Sequence, residues 1–193
     1  MGRRLRWFVE GASVHLYNRG NDRMAIFHED VDRLSFLGIV KRAFGDNRVA
    51  PHNFVLMTTH YHIIATPPAE AALPLAMKEI GERYTRFYNR KYERTGTIWD
   101  GRYRGLPISD ERYALICARY IEQNPLRAGM VAALDAYQWS SYRTLALGEK
   151  SDWLVPHSTY LELGSAEEER QAAYRAICSE PVPCDALINV RSR

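Results

Sequence analysis

"PHNFVLMTTHYHIIATPP", residues 51–68, decides how the chain folds. Its apolar, β-branched and aromatic residues favour extended backbone, and Pro67 and Pro68 close it. The stretch therefore predicts a strand pair, or one long bent strand. Inside it His60 and His62 flank Tyr61. Residues two apart on a strand point to the same face, so the two imidazoles project together. Neutral imidazoles placed in this way can share one divalent ion. The ordinary alternative is a pair of hydrogen-bonded structural histidines or a half-exposed face, and the spacing alone does not choose.

Working outward, "WFVEGASVHLYNRGN" alternates and stops at a Gly-Asn turn, which predicts a strand over about 7–18. Val31, Leu34, Leu37, Val40 and Phe44 recur at helical spacing before Gly45, predicting a helix over about 29–44. A second helix is expected over about 74–93, followed by a short hairpin or extended arm in "GTIWDGRYRGLPIS". "DERYALICARYIEQNP" predicts a third helix, capped by Ser109 or Asp110 and ended by Pro125. The order β-α-β-β-α-(β)-α implies an α+β fold, one antiparallel sheet with helices on one face. After "WSSY" (139–142) the character changes. Residues 1–145 are expected to form the functional domain, and 146–193 a C-terminal extension of unknown role with one helix over about 165–178.

The 193 residues, 46% hydrophobic and 25% charged, suit one globular domain with a sizeable core. No apolar run reaches the roughly 18 residues of a membrane span. The arginine-rich start lacks a following apolar stretch, so no secretion signal is expected. Cys117, Cys178 and Cys184 make neither a disulfide framework nor a four-cysteine metal site, which fits a reducing cytoplasm. The net charge of +3 is undiagnostic, but its distribution is not. Between Gly81 and Arg104, seven Lys/Arg stand against three acids, interleaved with Tyr84, Phe87, Tyr88, Tyr92, Trp99 and Tyr103. Basic charge mixed with aromatic rings is the composition of a groove that holds phosphates and stacks bases.

On the third helix Tyr113, Ile116, Cys117, Tyr120 and Asn124 share one stripe. A tyrosine there is ordinarily core. An amide on a core-facing stripe is less expected, unless something pairs with it. The Asn124 oxygen could complete a site whose other ligands are two imidazoles, with the Tyr120 hydroxyl beside the ion. A phenol is a poor nucleophile at neutral pH, but a metal that polarises a phosphodiester makes its attack feasible. The product is a 5′-phosphotyrosine and a free 3′-hydroxyl, a link that can be resealed without a nucleotide cofactor. Tyr84, Tyr88 and Tyr113 are rival nucleophiles; none has an amide four residues on, and a core role is expected for each.

"HLYNRGNDRMAIF", "FVLMTTHYHIIATP", "GTIWDGRYRG", "RYIEQNPLRAGMV" and "WSSY", in this order, resemble the single-tyrosine HUH transposases, specifically the REP-associated tyrosine transposases. The resemblance spans roughly residues 8–145. It implies a ferredoxin-like, RNA-recognition-motif-like sheet, with His60 and His62 as metal ligands, Asn124 as the third and Tyr120 as nucleophile. It further implies Mg²⁺ or Mn²⁺, and cleavage of single-stranded DNA at or near repetitive extragenic palindromic hairpins, often flanked by a GTAG-like tetranucleotide. Many relatives carry glutamine as third ligand; here Gln123 is one residue short of the family spacing and Asn124 is in register.

Arg19, Asn21 and Arg23 in "YNRGNDR" are candidates for DNA contact, with a solvated loop as the alternative. Arg102 and Arg104 in "GRYRG" are stronger ones, and Trp99 and Tyr103 are candidates for base stacking. His15 faces opposite Val14 and Leu16, near the site or as an ordinary structural histidine. The first functional expectation is a metal-dependent single-strand endonuclease and strand transferase, cytoplasmic and nucleoid-associated, monomeric or homodimeric, and with no membrane partner. A domesticated hairpin-DNA binder with weak or silent chemistry is the second. An unrelated His-x-His hydrolase is disfavoured by the absence of further ligand clusters.

Overall fold

The computed structural model describes residues 11–108 and 110–182. Strand β1 (Val14–Arg19) leads through a single 3-10 turn to helix α1 (Asp30–Asp46). Strands β2 (Ala50–Leu56) and β3 (His60–Thr66) form an antiparallel hairpin, so the opening stretch is a strand pair. Helix α2 (Ala72–Lys91) precedes strand β4 (Arg104–Pro107). The expected strand over 7–18 is observed from Val14 onward, and residues 1–10 lie outside the described residues. The arm before β4 does not fold on itself. It runs along β1, bridging Gly20 with Trp99 and pairing Tyr17 with Arg104 and Val14 with Pro107.

The sheet order is β2-β3-β1-β4, all antiparallel, as a β-α-β-β-α-β ferredoxin-like arrangement requires. Period-two alternation gives the sheet two different faces. Val14, Leu16, Phe54, Leu56, Tyr61 and Ile63 point to one face, where α1 and α2 cover them. The covering stripe of α2 is Leu73, Ala76, Met77, Ile80, Tyr84 and Tyr88, at the three- and four-residue spacing of one helix side. Leu73, Met77 and Ile80, fully buried, contribute about 1.5–3 kcal/mol each. The expectation that the helices share one face holds for these two only, because the third helix covers the other side of the sheet.

The opposite face has its own cover. Helix α3 (Glu111–Glu122) packs on β2 and β3 and is followed by the single turn α4 (Asn124–Arg127). Asp110 caps α3, its carboxylate accepting from the Tyr113 N–H at 2.8 Å, while Ser109 lies outside the described residues. Short helices α5 (Tyr142–Leu147) and α6 (Ser158–Leu161) lead to α7 (Glu167–Ser179), the helix expected over 165–178. Val55 and Ile64 of the sheet, Cys117, Tyr120 and Ile121 of α3, and Tyr160, Tyr174 and Cys178 of the last helices form a second buried cluster. Cys184 lies outside the described residues.

Candidate active site

Strand pairing places Tyr17 opposite His62, Arg19 opposite His60, and Arg104 opposite Tyr17. Directly paired residues share a face, so His15, Tyr17, Arg19, His60, His62 and Arg104 lie on the α3 side of the sheet. His62 is buried, 6% exposed, and meets the Tyr120 ring edge-on with centroids 5.6 Å apart. His60 is half-buried and stands perpendicular to His62, centroids 5.2 Å apart. The two histidines of one strand and the tyrosine of the facing helix are thus brought together. Tyr120 itself is buried at 7% exposure.

His15 belongs to the same group. Its Nε2 lies 2.9 Å from His62 Nδ1, the two rings stack at 5.0 Å, and the Tyr120 ring is 6.3 Å away. Tyr17 was not singled out from the sequence, yet its ring lies 5.6 Å from His62 and 5.5 Å from His15. The signal for it was parity: positions 15, 17 and 19 alternate with the core residues Val14 and Leu16.

Burial keeps these imidazoles neutral. It pulls His15 down to about 4, and His60 also to about 4 with the Arg19 charge adding to the effect. His62 is held well below the usual histidine range by burial, then by His15, His60 and Arg127. The nitrogen bookkeeping suits a metal. His62 Nδ1 is engaged by His15 and His60 Nδ1 by the Thr59 hydroxyl at 3.0 Å, which leaves the Nε2 lone pairs for a ligand. His15 Nδ1 is buried with no hydrogen-bond partner among the described residues, and it carries the ring's N–H if Nε2 accepts from His62. Two neutral imidazoles with spare Nε2 atoms fit a divalent cation. Among the described residues no group of three or more His, Cys, Asp or Glu could hold one, so further ligands would have to be amide, water or phosphate oxygen.

Asn124 is half-buried at the junction of α3 and α4, and its Nδ2 donates to the Tyr120 carbonyl at 2.8 Å. Its amide is oriented by the helix end that carries Tyr120. Gln123 points elsewhere: its Nε2 donates to the carbonyls of Cys178 and Glu180 at 2.8 and 2.6 Å. The neighbouring Glu122 is buried against the sheet edge. Its carboxylate accepts from Asn53, Ser141 and Tyr174, and burial pushes it up to about 7. These contacts fix the turn of α3 that presents Tyr120. Tyr84 and Tyr88 lie on the other side of the sheet, their hydroxyls donating to the carbonyls of Ile26 and Ala25. Tyr113 pairs with Cys117, and burial raises it to about 12.

The basic rim is only partly as expected. Arg19 is half-exposed and pairs with Asp100 at 2.6 Å. Asn21 and Arg23 are exposed on the 3-10 turn, where Asp22 and Arg23 both hold a positive φ (50° and 56°) at a cost of about 1–2 kcal/mol each. The turn is tight because a Cβ on Gly20 would meet the Met24 carbonyl oxygen at 2.3 Å. Arg102 and Arg104 are exposed beside it. Trp99 and Tyr103 are not stacking platforms, contrary to expectation. Both are buried, at 8% and 9% exposure, within the α1–α2 core. The Trp99 ring packs on Tyr61 and Tyr84, and its indole N–H donates to the Gly81 carbonyl at 3.3 Å. The aromatic residues of the 81–104 stretch are therefore largely core, and alternation with charge arose because α2 and the arm each bury one side.

The sequence profile described as "Transposase IS200 like" matches residues 8–124, more than half of the chain. The chain belongs to the IS200-like transposase family. As a member it is a transposase-type enzyme that processes DNA. Its fold is shared with a REP-associated tyrosine transposase solved bound to a REP hairpin, at 18% identity and a TM-score of 0.65. That match covers 81% of this chain and 93% of the other. A candidate transposase from Deinococcus radiodurans R1 matches at 18% identity and a TM-score of 0.44, covering 63% of this chain and 97% of its own. No curated protein matches the chain. Among the described residues of this transposase-family chain, no helix is long and apolar enough to cross a membrane.

Proposed function

We propose that this chain is a single-strand DNA endonuclease and strand transferase of the REP-associated branch, acting through Tyr120 at a hairpin-bearing substrate. The observation that carries the reading is the juxtaposition of His62 and Tyr120, from opposite layers of the fold, with His15 behind them. His60, His62 and Asn124 are the residues that would hold Mg²⁺ or Mn²⁺. When bound, the cation polarises the scissile phosphate and offsets its developing charge.

The residues do the rest. Tyr120 Oη attacks phosphorus, a P–O(Tyr) bond forms and the P–O3′ bond breaks. The electron pair leaves on the 3′-oxygen, which ends as a hydroxyl while the phenol has lost its proton. The new ester keeps the energy of the old one, so the same site run backward reseals a strand. Burial of the nucleophile against His62 excludes water from in-line competition, which favours transfer over hydrolysis. Arg19, Asn21, Arg23, Arg102 and Arg104 form a basic rim suited to phosphate contacts, with binding that weakens steeply in salt. The hairpin partner is supported by the relative of like fold, which was solved on a REP hairpin.

Labelled single-stranded hairpins incubated with Mn²⁺, Mg²⁺ or EDTA test the proposal on a denaturing gel. A metal-dependent protein–DNA adduct is expected with wild type and none with Tyr120→Phe. Persistence of the adduct in Tyr120→Phe would move the nucleophile elsewhere. Binding without any adduct would favour a silent hairpin binder.

A further inference from the structure

Arg127 closes α4, the short helix that follows the Tyr120 helix. Gln123, itself helical, joins α3 to α4, and the Arg127 N–H donates to the Gln123 carbonyl at 2.9 Å, so Arg127 stands about two helical turns beyond Tyr120. The guanidinium lies over the face of the Tyr120 ring, with Cζ 5.0 Å from the centroid. His62 stands perpendicular to that same ring, with centroids 5.6 Å apart. The Arg127 charge also reaches His62, where it adds to the burial and the two histidines that keep the imidazole neutral. Arg127 is exposed and has no acidic partner among the described residues, whereas Arg19 is neutralised by Asp100. A guanidinium stacked on an aromatic face keeps its N–H edge free, and that planar fork matches two oxygens of a phosphate.

We propose that Arg127 is a catalytic residue of the Tyr120 site, clamping a non-bridging oxygen of the scissile phosphodiester during attack. The inference rests on the reading of Tyr120 as nucleophile and adds the group that meets the phosphate from the helix side. As the P–O(Tyr) bond forms and the P–O3′ bond breaks, charge gathers on the non-bridging oxygens. A fixed guanidinium beside them stabilises that charge without needing to reorganise. Stacking on the nucleophile's own ring couples the two, so phosphate held by Arg127 lies next to Tyr120. In resealing, the same charge stabilises the departing phenolate.

The test separates contact from chemistry. Hairpins with random stems and a GTAG 5′ extension are first selected for retention by the wild-type chain in EDTA. The best binder is then made with single methylphosphonates stepped across the foot of the hairpin, each removing one phosphate charge. Binding of wild type and Arg127→Gln is compared in EDTA, and adduct formation in Mn²⁺. One position is expected where neutralisation weakens wild type about tenfold but leaves Arg127→Gln unchanged, as for a lost charge-assisted hydrogen bond. That position should be the one at which the adduct forms. The adduct rate should fall about 10²–10³-fold in Arg127→Gln, with partial recovery in Arg127→Lys. Additive effects at every position, or coupling away from the cleaved phosphate, overturn the clamp even if Tyr120 forms its adduct. Coupling without any wild-type adduct leaves Arg127 as a phosphate contact and overturns the cleavage reading instead. If the wild type retains no hairpin, both fall.

Discussion

Trp99 and Arg102 are three residues apart in one basic and aromatic stretch, and the structure gives them opposite roles. The Trp99 ring is enclosed by Tyr61 and Tyr84, so Trp99→Ala opens a cavity in the α1–α2 core. We expect a loss of about 3–5 kcal/mol in urea unfolding. Hairpin affinity should be unaffected wherever the variant is still folded. Arg102 is exposed. Arg102→Ala should leave stability within about 0.5 kcal/mol, and should lower the slope of log affinity against log salt by about one. A Trp99→Ala protein that stays folded and stable but binds poorly would restore the stacking role. Sequence could not tell the two apart, because an aromatic ring beside arginines suits either a nucleic-acid groove or a core strand with a wet edge. The histidine pair was legible, since parity on a strand is strict. Tyr17 obeyed the same parity, but a tyrosine in a strand is too ordinary to stand out.

At the scale of elements, α3 is the part that matters most, because its three buried sides do different things. Tyr120 faces the histidines, Glu122 faces Asn53 and the last helix, and Gln123, just past its end, ties down the C-terminal end of α7. Tyr174 of α7 donates to Glu122 at 3.2 Å and accepts from Asn53 at 2.9 Å, so it links β2, α3 and α7. Tyr174→Phe leaves a buried carboxyl and a buried amide each short of a partner. That should cost about 1–3 kcal/mol. It should appear as a lower urea midpoint with an unchanged slope; an unchanged midpoint would mean that the network is dispensable. The existence of α3 was readable from its Asp110 cap, its apolar stripe and Pro125. Its contact with the second face of the sheet was not, because amphipathic spacing marks a buried side without naming what buries it.

Over the whole molecule, the segment before α6 is joined to the sheet by a chain of polar side chains. His52 Nδ1 donates to the Val155 carbonyl at 2.7 Å, and its Nε2 accepts from Thr66 at 2.8 Å. Ser13 bridges Thr66 at 2.7 Å and His157 at 2.8 Å. Burial pulls His52 down to about 4, against the opposing Val155 bond and with help from His157. The fold therefore disfavours protonated His52. The stability this contributes is complete above the unfolded value near 6.5 and is lost as pH falls from there to about 4, roughly 3 kcal/mol in all. His52→Gln should flatten that limb of the stability–pH curve while the other buried histidines keep their own. Urea unfolding between pH 7.5 and 4 would show it, and parallel curves for the two proteins would refute it.

Residue order and periodicity by themselves determined the sheet-and-helix alternation, the shared face of His60 and His62, and the stripe bearing Tyr120 and Asn124. These depend on local rules, the two-residue period of strands and the near-four-residue period of helices, which operate before any long-range contact exists. Tertiary structure alone decided that His15 and Tyr17 join the histidines, and that Trp99 and Tyr103 are core. Each of those depends on strand register or on the packing of distant segments, from β1 against β3 to α7 against α3. Which side of a sheet a helix covers is set by the sum of many buried contacts, and no short stretch of sequence carries that sum.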